Sequence, residues 1–324
     1  MKSVIIIERI SVQNANALCG LTYGFPPMSH FLGFTHALSR VVKDRLGLTF
    51  GGCAVVCHQH EFLGQKLGEV DEYSPSTYRP PANKKGEPSP FQMSASIHLS
   101  VSLIIECLFS SGQIDFGMGE DDADINEFTN FLRIQVPRFR IAGGLIRDLE
   151  TIQYLSLSGD GDEQERRSKK ALRKLLPGYC IVERSALLEK NLQMPREDES
   201  KRDSLDAWME FSAIQYKCSD KPELNDSSLA TAKAEWRKVA RAEKGWFVPI
   251  PIGFKSISPL YLPGEVRSAR DPSVPFRFVE SEYGLGEWIG LHRVSDFESL
   301  MWRYEVREST YRWRNRYEEM KDLS

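Results

Sequence analysis

The chain has 324 residues, 41% of them hydrophobic and 27% charged, with a formal net charge of −3. These proportions describe an ordinary soluble globular protein, long enough for a substantial core or two modest domains. The slight acidity argues against indiscriminate coating of nucleic acid and leaves room for a local basic groove. No targeting or transmembrane segment is visible, because the N-terminal apolar run is four residues long and Glu8 and Arg9 follow it, so a cytoplasmic location is expected. The six cysteines (19, 53, 57, 107, 180 and 218) show no CxxC spacing and read as reduced, mostly buried thiols, with no cofactor implied.

In chain order, Val4–Ile7 is a β-branched run typical of a central strand covered on both faces. ERISVQNANA follows, and Gln13, Asn14 and Asn16 put three carboxamides where the chain is expected to leave the sheet, a segment able to wrap a polar ligand. Ser29 is the expected N-cap of a helix that closes on Gly47. Its spacing gathers Phe31, Leu32, Phe34, Ala37, Leu38, Val41, Val42 and Leu46 on one face and Gly33, His36, Arg40 and Lys43 on the other. A mid-helix glycine costs about 1 kcal/mol relative to alanine, so Gly33 suggests close packing of another element or of a phosphate chain.

Residues 48–62 read as a half-buried strand. Alternation puts Cys53 and Cys57 on one face and His58 and His60 on the other, so a single zinc ion is not expected to take both pairs. Residues 63–94, rich in proline, read as an irregular excursion or a hairpin. Residues 94–108 restore β alternation: Ile97, Leu99, Val101 and Leu103 oppose Ser94, Ser96, His98, Ser100 and Ser102, without the nucleophile elbow of a hydrolase. Asp121, Asp122 and Asp124 read as the acidic start of a helix in preference to a divalent-metal site. In RFRIAGGLIRDLETIQYL, Arg138, Arg140 and Arg147 flank Gly143 and Gly144, read here as paired glycines inside a strand where a phosphate chain can approach.

Strand, helix, strand, strand, helix, strand is the split βαβ order of an α+β, ferredoxin-like or RRM-type core, whose sheet commonly offers RNA a platform. That core is expected over 1–158, followed by a mostly helical insertion over 159–245 and a loop-rich β lobe over 246–324 packed back on it. The insertion opens with a helix carrying Arg166, Arg167, Lys169, Lys170, Arg173 and Lys174, for which a solvated face and nucleic-acid contact both stand. Further helices are expected at LLEKNLQ, SLDAWMEFSAIQY and SLATAKAEWRKVARAEKG. In the last lobe, Lys255, Tyr261, Arg267, Arg270 and Arg277 interleave cations with an aromatic, a pattern suited to holding phosphates and stacking bases.

RISVQNANA, LTYGFPPMSHFLGFTHAL, PGYCIVERS, GWFVPIPIGFKSISPLYLPGEVRSARDP and RFVESEYGLGEWIGLHR together resemble the Csy-two family, the Cas-five-type RAMP subunit of type I-F CRISPR surveillance complexes, over residues 5 to 295. The resemblance implies a RAMP-fold, noncatalytic, RNA-binding subunit. It implies pairing with the complex's large subunit as a heterodimer, a grip on the five-prime handle of the CRISPR RNA, and a neighbouring backbone RAMP subunit. Target double-stranded DNA near the protospacer-adjacent motif would lie close by, with base pairing by the guide reading sequence. Two rivals carry different expectations: a RAMP-type repeat RNA endonuclease, with His36 or His98 as its base, and a protein-only scaffold.

Overall fold

A computed structural model describes residues 3–67, 72–109, 122–193, 203–219, 235–239, 241 and 243–321. The protein is mixed α+β, with a thirteen-stranded antiparallel sheet and six helices among the described residues. Its main elements in chain order are β1 (Ser3–Asn16), α1 (Met28–Leu46), β2 (Thr49–Leu67), β3 (Ser96–Leu108), α2 (Asp122–Gln135), β4 (Gly144–Asp148), β5 (Thr151–Ser156) and α3 (Gly161–Lys174). There follow β6 (Tyr179–Glu183), α4 (Ala186–Leu192), α5 (Ser204–Ser212), β7 (Trp246–Ser256), β8 (Val279–Gly290), β9 (Trp302–Arg307), β10 (Thr310–Asn315) and α6 (Tyr317–Lys321). No described helix is long and apolar enough to cross a membrane.

The sheet has two working faces. On one, α1 and α2 cover the inward residues of β1, β2 and β3, so that Ile5, Ile7, Phe31, Leu38, Leu103 and Leu132 form one core. On the other, α3 and the segment around Phe297 and Leu300 cover Val4, Ile6, Ala54, Val56 and Ile104. Burying each such side chain contributes roughly 1.5–3 kcal/mol, which explains why β1 and β2 are apolar at every position where both layers meet them. Residues 53–57 are accordingly buried on both sides, where a half-buried strand was expected.

Strand order places β4 and β5 beside β1, β1 beside β3, and β3 beside β2. The far edge of β2 then pairs with β9 at Cys53 and with β6 at Val56 and Cys57. Because β9, β10, β7, β8 and β6 are themselves paired in series, they make a closed circuit of strands with β2. Closure leaves no free edge on β2 at that point. Trp302 and Trp313 fill the interior and donate their indole N–H groups to the carbonyls of Ile181 and Pro251.

One buried ion network bolts this circuit to the core. Arg303 on β9 donates to both carboxylate oxygens of Glu106 on β3, at 3.0 and 3.1 Å, and to Glu298, while the Gly52 amide of β2 also donates to Glu106. Burial alone pushes the Glu106 carboxyl up. The bonds from Arg303 and Gly52, with the guanidinium charge, outweigh it and hold the group below its ordinary value of 4.5.

Several local expectations are corrected. Helix α1 starts at Met28 after Pro27, with no side-chain cap, so Ser29 lies inside its first turn; Gly47 does close it, at φ 71°. Gly33 is exposed and an added Cβ would meet nothing within 4 Å, so no element packs there among the described residues. Within 63–94 the hairpin alternative is the one observed, β2 running on to Leu67 and pairing with Glu72–Tyr78, which pairs with Gln92–Ser94, while residues 68–71 lie outside the described residues. Glu235–Lys238, expected as helix, is a strand paired with Tyr216–Ser219, and residues 220–234 lie outside the described residues. Strand β6 arises inside the stretch expected to be helical, and β7 and β8 are long, not short. The acidic cluster does begin α2, with Asp121 outside the described residues.

The Glu106 network yields a stability prediction with a pH signature. Its folded value is depressed, so its contribution is present above 4.5 and is lost as pH falls through the lower folded value. Glu106→Gln is expected to cost about 2–4 kcal/mol at pH 7, measured by urea unfolding, with the gap to the unsubstituted protein narrowing in acid. A gap that stays constant with pH would refute the assignment.

Candidate nucleic-acid interface

The carboxamide segment does not leave the sheet. Strand β1 continues to Asn16 through two bulges, at Glu8–Arg9 and at Gln13–Asn14, which shift its register against β3. Arg9 and Asn14 adopt positive φ, 47° and 53°, the left-handed geometry that a bulge residue often needs. Each bulge frees a backbone N–H, and the polar face of β3 takes it up. The Arg9 amide donates to Ser102 Oγ at 2.9 Å, and the Asn14 amide donates to His98 Nδ1 at 3.1 Å.

Behind Ser102 the network continues. His58 bridges Ser102 Oγ at 2.7 Å and the Pro177 carbonyl at 2.8 Å. The carbonyl requires a proton on Nδ1, so Nε2 accepts from the Ser102 hydroxyl. Burial is the leading reason that the His58 pKa lies below its usual value, which favours this neutral form. His58 is therefore consumed by structure, and no group of three metal-binding side chains converges among the described residues.

The paired glycines are not in the middle of a strand. Arg140–Ile141 and β4 form a two-residue hairpin whose corner is Ala142 and Gly143, at φ 50° and 76°. Positive φ at both corner positions is the requirement of a type I′ turn. Gly143 is exposed at this corner. Gly144 is buried, and a Cβ there would lie 2.7–2.8 Å from Val12, Gln13 and Ala15, so only glycine lets the hairpin seat against β1. The Ala142 carbonyl accepts from the Asn16 amide at 2.8 Å and Arg140 donates to the Gly143 carbonyl at 3.1 Å, fixing the corner.

Register then shows what shares a face. Val12, Leu99 and Ile146 point into the α1–α2 core, so their neighbours Ser11, Gln13, Ser96, His98, Ser100, Leu145 and Arg147 point to the other side. Arg140, paired across the hairpin with Leu145, joins them. At this end the second face of the sheet has no apolar residues in the layer beneath α3. The result is a polar half-face, next to an apolar half that α3 covers, with exposed Gln13, Arg140 and Arg147 along one margin. An RRM-type platform would place aromatics here; this one presents hydroxyls, an imidazole, an amide and guanidinium groups, with Leu145 and Leu63 among them and the carboxylates of Asp148 and Glu61 in register beside Ser11 and His98, a set that favours polar contacts over stacking.

Other expected residues lie elsewhere. Asn14 and Asn16 are spent partly on structure: Asn14 forms the bulge, and the Asn16 side chain accepts from the Leu18 amide and donates to the Leu18 carbonyl. Arg138 is exposed just before the hairpin and reaches Gln135 at 3.4 Å. His36 and Arg40 sit on the outward side of α1, beyond the core, and so cannot line the same groove. Lys255, Arg267 and Arg270 are exposed in the C-terminal lobe, while Arg277 donates to the Glu308 carbonyl and Tyr261 packs edge-on against Phe278 at 6.1 Å. The bulges, and with them the Arg9–Ser102–His58 network, were not expected from residue type, although the core spacing Ile5, Ile7, Ile10, Val12, Ala15, Ala17 carries the signal: each step of three marks a bulge.

A family description, CRISPR-associated protein (Cas_Csy2), matches residues 5–313. A curated relative, the CRISPR-associated protein Csy2 of Pseudomonas aeruginosa (strain UCBPP-PA14), is 36% identical over 324 aligned residues, covering 96% of this chain and 95% of the relative. Family match and relative each span nearly the whole sequence, so the chain belongs to the Csy2 family of CRISPR-associated proteins.

Proposed function

We propose that this chain is a noncatalytic subunit of a type I-F CRISPR complex which holds the five-prime handle of the CRISPR RNA on the polar half-face of its sheet. The observation that carries this reading is the convergence of Gln13, Arg140 and Arg147 on one open face, beside His98 and Ser100. The β4/β5–β1–β3–β2 order supports a ferredoxin-like RAMP core. In this reading the large subunit completes the grip as a heterodimer partner, a backbone RAMP subunit abuts, and target duplex near the protospacer-adjacent motif lies within reach. Lys255, Arg267 and Arg270 are exposed in the C-terminal lobe and are left as separate candidate contacts for nucleic acid. A cytoplasmic location, with the RNA it would serve, goes with this reading.

Noncatalytic status is supported by where the two candidate bases sit. His98 uses its Nδ1 lone pair on the Asn14 amide, and His36 faces away on the other layer.

Arg140→Ala with Arg147→Ala is expected to lower retention of handle RNA by about 10- to 100-fold, from the 1.5–3 kcal/mol typical of a hydrogen bond to a charged group, with the subunit still folded. Crosslinks from the reconstituted complex should map to β1, β3 and β4; normal retention with no adducts would leave a protein-only scaffold. Repeat RNA incubated with the protein should remain intact, and specific cleavage abolished by His98→Ala would establish the endonuclease instead.

A further inference from the structure

Helix α3 carries more positive charge than its ion pairs use, although Asp162 lies four residues before Arg166 and the helix dipole favours Arg173 and Lys174 in the last turn. Asp160 caps it, accepting from the Glu163 amide at 2.9 Å, and Leu172 and Leu175 bury its inner side. In its first half the charges are matched at i, i+4: Glu163 with Arg167 and Glu165 with Lys169. The second half does the reverse. Arg166 and Lys170 are four apart, as are Lys170 and Lys174, and Lys170 and Arg173 are three apart, so like charges face one another on adjacent turns. Such pairs are destabilising, each by the few tenths of a kcal/mol that opposite pairs contribute. All four cations are exposed, and none has an ion-pair or hydrogen-bond partner among the described residues. At 1.5 Å of rise per residue they make a row about 12 Å long.

We propose that this row binds the phosphate backbone of duplex DNA without reading its sequence. Charge complementarity selects a polyanion, and the make-up of α3 selects which kind. The helix GDEQERRSKKALRK has no aromatic residue on which unpaired bases could stack, which disfavours a single strand. It exposes no large apolar side chain that could form the dry centre of a protein interface. A straight, well-anchored row of guanidinium and ammonium groups matches a backbone carrying one negative charge per ~1.7 Å of axis. The proposal rests on the reading above only in taking target DNA to be brought to this subunit.

The test compares the assembled complex with one carrying Arg166→Gln, Lys170→Gln, Arg173→Gln and Lys174→Gln, since glutamine keeps helix propensity close to that of the residues replaced. Binding to duplex DNA of unrelated sequence is followed across a salt series, beside the matching single strand and a duplex RNA. The substituted complex is expected to lose about 10-fold in duplex affinity at low salt, with the log–log salt slope shallower by about 3, and to keep its handle RNA and its subunits. An unchanged slope overturns the proposal, as does an equal loss for the single strand or for duplex RNA. Loss of assembly with duplex binding intact overturns it as well, and makes α3 a protein-docking face. Should the unsubstituted complex fail to retain handle RNA on the polar half-face, that reading falls while the duplex comparison still stands.

Discussion

Strand β1 has to keep its apolar side chains turned toward α1 and α2 over fourteen residues while its other face changes from a buried layer to an open one. A regular strand cannot do this with the sequence it has, since a slip of one residue exchanges the two faces. The bulges at Arg9 and Asn14 each insert the extra residue that brings the pattern back into phase, from Ile5 and Ile7 to Ile10 and Val12 and then to Ala15 and Ala17. The insertions are tolerated because Ser102 and His98 take up the amides they release. An unpaired amide in such a setting costs about 1–3 kcal/mol, so the polar residues of β3 have a structural task whatever else the face does.

A similar economy governs the lobe. Strand β2 gives one edge to β3 and the other, in succession, to β9 and β6. Arg303 crosses the same seam to Glu106, and Arg184 on the loop after β6 pairs with Glu287 and with Glu318 of α6. Buried pairs of this type add little net stability, but losing one partner leaves a costly unpaired charge. They hold the lobe in a single orientation on the core.

Much of this was legible in the sequence, and the failures have physical reasons. The apolar face of α1, its glycine stop, the alternation of residues 96–103 and the acidic start of α2 follow from period and capping, and all are observed. Arg140 and Arg147 were singled out for their glycines; the glycines instead make a turn and a close seat, because a corner with positive φ at Ala142 leaves no mark in composition. His36 and Arg40 lie on a different layer from Arg140 and Arg147, which depends on how helices dock on the sheet. Lys255, Arg267 and Arg270 were grouped with Tyr261 and Arg277 by proximity in sequence, whereas the fold engages the last two in local packing.

The closed circuit through β2 has a mechanical consequence. Because the strands that bear Arg147 and Lys255 belong to one continuous sheet, the spacing of these two cations is settled when the chain folds. On the proposed reading, a flexible polymer held at both points would adapt its path to them, and the ordering entropy would fall on that polymer and not on the protein.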